Sequence, residues 1–166
     1  MTMAEREILR WVTVNGKHFP IYKDEDGNEV FGVGEEINKQ NADGSITMTY
    51  VHIKNNTQKI KGMDFGQDIE PAGEYMSMDT LQGQNKIDQP NYEYGTIHFK
   101  KPLVLEHKST DSKGWKKDLS DMYGGKKKKA LSNAIMKDGY DAVMTWEMYR
   151  GNKEWVEIVN LKGQKQ

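Results

Sequence analysis

The chain has 166 residues, 36% of them hydrophobic and 30% charged, with 16 aromatics, a net charge of −1 and no cysteine. That size suits one domain, and the aromatics suffice to anchor a core. The balanced charge argues against a general attraction to nucleic acid or anionic lipid, no apolar run reaches a membrane span, and disulfide and thiolate chemistry are excluded.

The opening "MTMAEREILRW" carries Glu5 and Glu7 and lacks the apolar heart of a secretory signal, so a cytosolic location fits; a toxin delivered by a dedicated machine would read the same. In "WVTVNGKHFPIY", Val12 and Val14 alternate with polar residues, and Asn15-Gly16 predicts a tight turn. Pro20 assigns the returning strand to a sheet edge. Asp26-Gly27 predicts a second turn, and residues 35–45 read as a polar linker. The expected division is a small hairpin-like unit with its linker over 1–45 and a larger domain over 46–166.

"SITMTYVHI" alternates β-formers and predicts a strand. Residues 54–73 read as irregular or as one short helix, "EYMSM" as a short strand, and 79–93 as a polar, mobile connection. "YGTIHFKKPLVLE" predicts a long strand interrupted at Pro102. Between 115 and 139, Ala130, Leu131, Ala134 and Ile135 recur at helical spacing, and Gly139 after Lys137 supplies a stop. "YDAVMTW" and "EWVEIVNL" close the chain as two strands around a polar turn. Strands first, one main helix late and a final strand pair predict an α+β domain with mostly antiparallel sheets.

Few residues announce chemistry alone. His18, His98 and His107 have no metal-ligand spacing, and "DEDGNE" matches a calcium loop only superficially, with Glu35 at its twelfth position and no flanking helices. "GGKKKK" at 124–129 has the wrong order for a phosphate loop, and four lysines opening a helix oppose its dipole. They read first as a solvated helix start, with steering of an anion as a lesser alternative. In the last strand, alternation sets Glu154, Val156 and Ile158 on one face and Trp155, Glu157 and Val159 on the other. Both faces are partly apolar, so alternation does not choose between the two acids.

Taken in order, "TYVHIKNN", "EPAGEYMSMD", "IHFKKPLVLE", "MKDGYDAVMT" and "EWVEIVNLKG" resemble the motifs of ADP-ribosyltransferase domains found in phage-borne and polymorphic-toxin proteins. The resemblance spans roughly residues 46–163. "WVTVNGKHFPIYKD" is similar to a segment that accompanies phage head-morphogenesis proteins. The family implies a split β-sandwich, NAD as substrate, no metal and no membrane. It places His52 against the NAD ribose, Tyr75 as the ring stacking on nicotinamide with Ser77 nearby, and Glu154 as the catalytic acid, with Glu157 as its rival. Asn152 stands where arginine-modifying members carry Glu or Gln, so arginine is not assigned as the target.

The chemistry is coherent with those roles. Cleaving the nicotinamide–ribose bond develops positive charge on the ribose, which a fixed carboxylate stabilises. An aromatic face suits the cationic ring, and a histidine donating a hydrogen bond orients the ribose. The implied function is ADP-ribosyl transfer to a host protein or nucleic acid by a phage or prophage protein, in the host cytoplasm or on a virion. The alternative is a non-enzymatic phage structural or accessory protein, built on a degenerate fold of this kind and binding a virion protein. A third reading is a nucleic-acid-binding or nuclease domain using Lys126–Lys129 and Trp115.

Overall fold

A computed structural model describes residues 7–14, 17–53, 68–79, 92–107 and 114–163. Strands β1 (Arg10–Val14), β2 (Lys17–Lys23), β3 (Glu29–Phe31) and β4 (Glu35–Glu36) form a small sheet. Its order is β1-β2-β3, with β4 also paired to β2. Pro20 therefore lies in a central strand rather than on the expected edge. Its carbonyl accepts from Gly32 N–H, on the side where the partner of β2 changes from β3 to β4. The missing N–H falls at that break in the ladder, which is why proline is tolerated there. The β2–β3 turn follows its sequence: Gly27 has φ +82°, and the Asp24 carboxylate accepts from the Asp26 and Asn28 N–H groups. Asn15-Gly16 lies outside the described residues.

The larger sheet contains β5 (Ile46–Ile53), β6 (Glu74–Met78), β7 (Tyr92–Phe99), β8 (Pro102–Glu106), β9 (Ala142–Tyr149) and β10 (Asn152–Asn160). Its order is β7-β5-β6-β10-β9-β8, antiparallel except for the parallel β8–β9 pair. With two helices, α1 (Gly114–Met122) and α2 (Lys128–Lys137), this is an α+β fold dominated by antiparallel pairing. The single long strand expected at 94–106 is two strands at opposite edges of the sheet. The chain bends at Lys100 and Lys101, whose N–H groups both donate to the Asp141 carboxylate, and Pro102 then opens β8. The single main helix expected late in the chain is likewise two. Gly124 and Gly125, at φ +72° and +83°, separate them. Gly139 does end α2, at φ +102°, donating to the Met136 carbonyl.

Both faces of the sheet are covered. On one lie Ile46, Met48, Met76, Phe99, Ala142, Met144, Trp155 and Ile158. Val143, Val159 and Leu161 on the other pack against Trp115 and Leu119 of α1 and Leu131 and Ile135 of α2. Each large side chain so buried contributes about 1.5–3 kcal/mol. This double burial explains why apolar patterning in β10 could not separate an inner from an outer face. The linker is pinned through Asn38, at φ +62°. Its side chain accepts from Thr49 N–H, its N–H donates to the Thr47 carbonyl, and its own carbonyl accepts the Trp155 indole N–H. Trp11 of β1 stacks on His98 of β7 at 6.2 Å, joining the two sheets. Among the described residues, no helix is long and apolar enough to cross a membrane.

Candidate functional site

β6 is where the large sheet forks. Its first part, Glu74 to Met76, pairs with β10, while Ser77 and Met78 pair with β5. Beyond Val51 the β5–β6 ladder is lost, and His52 occupies the opening: its Nδ1–H donates to the Tyr75 carbonyl at 2.7 Å. A carbonyl can only accept, so this bond fixes the proton on Nδ1. In the neutral ring Nε2 is then an acceptor, the reverse of the donor role that the resemblance implied for His52.

The strands that carry His52, Tyr75 and the acids, β5, β6 and β10, lie side by side. The side chains do not all converge. By alternation His52 continues the side of Ile46 and Met48, whereas the Tyr75 ring packs on the helix side beside Val159. The Tyr75 hydroxyl donates to the Pro71 carbonyl at 2.7 Å. Burial first, then the negative charges of Glu70 and Glu157, push that hydroxyl well above its ordinary pKa. Lys116 Nζ sits 5.8 Å from the ring centroid. Tyr75 is thus held in the helix layer by its hydroxyl and by packing beside Val159, with part of its surface still exposed. Ser77, next on the strand but one, is exposed.

β10 corrects the alternation read from sequence. The register jumps between Trp155 and Ile158, so Val156 and Glu157 together oppose Thr145, whose hydroxyl accepts from Glu157 N–H and donates to the Glu157 carbonyl. This bulge puts Trp155 and Ile158 on the same face and brings Glu154 and Glu157 both to the helix side. The two acids meet different surroundings there. Glu157 accepts from the Trp115 indole N–H at 2.7 Å, with His107 Nε2 at 3.7 Å and Lys116 Nζ at 4.0 Å. Glu154 opposes Glu147 across the β9–β10 pair. It stands five residues from Val159, the partner of Tyr75, or about 16 Å along the strand. The structure therefore groups Tyr75 with Glu157, and leaves Glu154 at the hairpin end.

Around Glu157 lies a polar cluster that sequence patterning did not assemble. Lys116 is buried and ion-paired to Glu70 at 2.8 Å. Imidazole nitrogens of His107 face Glu157 and, at 3.9 Å, Glu147. These residues come from α1, the segment before β6, the end of β8, and β9 and β10, so no local spacing could flag them. Trp115, named with Lys126–Lys129 in the nucleic-acid reading, is 3% exposed with its N–H committed to Glu157, so it cannot stack on a base. Two open clefts, of about 360 and 490 Å³, lie elsewhere, lined by residues 8–11 with Thr96 and by residues of the β3–β4 region with the linker. Among the described residues no group of three or more His, Asp or Glu side chains is arranged to hold a metal ion. Compared with family models, curated proteins and solved structures, the chain matches none.

Proposed function

We propose that this chain performs NAD-dependent ADP-ribosyl transfer to a host macromolecule as a phage or prophage protein. The observation that supports the reading is the adjacency of β5, β6 and β10, with β6 shared between two ladders that part beside His52. An imidazole at such a fork, held by the Tyr75 carbonyl, offers Nε2 to a sugar hydroxyl. Glu157, on the helix side of the sheet and opposite the face that carries His52, is held in advance by the Trp115 indole, and a carboxylate fixed in advance is what an oxocarbenium-like charge requires. Tyr75 then acts by anchoring the fork, through Pro71 on one side and His52 on the other.

The test is label transfer from NAD in a cell lysate, together with thermal unfolding in the presence of NAD, for wild type, Glu154→Gln and Glu157→Gln. Transfer lost only in Glu157→Gln is the expected result. Loss confined to Glu154→Gln returns the acid role to the hairpin end. Neither transfer nor protection by NAD removes the enzymatic reading.

One observation favours a second reading, a non-enzymatic phage structural or accessory protein. The Tyr75 hydroxyl, Lys116 and Glu157 already have internal partners, as the parts of a stabilising network do. Under this reading Glu157→Gln lowers stability, NAD has no effect, and self-association or binding to a virion protein is what an assay detects.

A further inference from the structure

We propose that the outer surface around the α1–α2 turn binds nucleic acid through its phosphates, without reading bases. The balanced net charge hides a segregation. Residues 114–138 contain seven lysines and three aspartates, a charge of +4, so the rest of a chain of net −1 carries −5. Within that segment Lys126, Lys127, Lys128 and Lys129 are consecutive and all exposed.

Most other lysines nearby are committed. Lys116 is buried against Glu70, Lys117 pairs with Asp121 at 2.9 Å, and Lys128 lies 3.9 Å from Glu70. Lys126, Lys127 and Lys129 form no ion pair with an acid of the described residues. Their placement is locally unfavourable: like charges adjoin, the first turn of α2 has no acidic residue, and no side chain caps it. An anion at this surface offsets the repulsion among those lysines and supplies the negative charge that the first turn of α2 lacks.

The chemistry of the surroundings selects phosphate over an acidic protein face. Protein interfaces centre on apolar and aromatic side chains. Here Trp115, Leu119, Leu131 and Ile135 all turn inward, and the Tyr123 hydroxyl is held by Asp138. Within the segment Met122 alone is an exposed large hydrophobic side chain. What remains outside is mobile point charge, which suits a phosphate backbone and carries no sequence information. With Trp115 sealed, residues 114–138 present no fully exposed aromatic ring on which single-stranded bases could stack, which favours a duplex as the occupant.

Fluorescence anisotropy of a labelled random-sequence duplex, titrated with the full chain from about 50 to 200 mM salt, tests this. Three to four phosphate contacts predict a log–log salt slope of about −2.7 to −3.6. Replacing Lys126, Lys127 and Lys129 together by Gln should flatten the slope by about 2.7, while the same three changed to Arg should keep it. Because the three side chains are exposed, circular dichroism should match wild type in both variants. The proposal is overturned if wild type does not bind at the lowest salt, if the Gln variant keeps the wild-type slope, or if polyglutamate of equal charge displaces the duplex as well as a second duplex does.

Discussion

Tyr75→Phe separates a ring that anchors the fork from one that awaits a ligand. The substitution keeps the packing of the ring on the helix layer and deletes one oxygen, the donor to Pro71 O at 2.7 Å. Losing that bond and leaving a buried carbonyl without its partner costs about 1–2 kcal/mol near neutral pH, or roughly 3–6 °C in Tm for a chain of this size. The cost carries its own pH signature. The folded hydroxyl titrates well above its ordinary value because of burial, then Glu70 and Glu157, whereas in the unfolded chain it ionises at about 10. Below that value both states hold the proton and the contribution is complete. Above it the unfolded state releases the proton first, binds fewer protons than the folded state, and stability falls as pH rises. One unit above, at about pH 11, ionisation of unfolded Tyr75 is worth about 1.4 kcal/mol, similar to the whole cost of the substitution. Urea unfolding of both proteins at neutral pH and near pH 11 should therefore show a gap in midpoint that closes at alkaline pH. All other titrating groups are common to both and cancel in the difference. A gap that stays constant, or a variant as stable as wild type at neutral pH, would refute the anchoring role.

Trp115→Phe should cost about 1–3 kcal/mol by removing the charge-assisted bond to Glu157, and its effect should overlap that of Glu157→Gln in a double-mutant cycle; strictly additive losses would mean the 2.7 Å contact contributes nothing. Gly139→Ala should be more damaging than Gly124→Ala, by about 1 kcal/mol or more in urea midpoints converted with a common slope. At Gly139 φ is +102° and a Cβ would lie 3.2 Å from Lys101 Nζ, whereas at Gly124 φ is +72° and the space is open. Equal losses at the two glycines would defeat that ranking.

Much of the local structure was legible because its causes are local. Alternating β-formers in "SITMTYVHI" made β5, and Gly139 stopped α2 because a left-handed residue after Lys137 favours glycine. The turn at Asp24–Asn28 needed only its own aspartate and glycine. The abundance of strands with late helical spacing was enough for an α+β fold with antiparallel sheets.

The remainder depended on contacts between distant residues. Whether 94–106 was one strand or two turned on Asp141, some 40 residues away, capturing the amides of Lys100 and Lys101. The faces of Glu154 and Glu157 turned on a bulge that exists because Thr145 of the partner strand bonds both backbone groups of Glu157. The polarity of His52 turned on a carbonyl of another strand, and the fate of Trp115 on a helix packing over β10. A sequence dictates propensity and periodicity residue by residue. Which carboxylate meets which donor is decided only when strands far apart in the chain are brought into register, because a shift of one residue turns a side chain to the opposite face of the sheet.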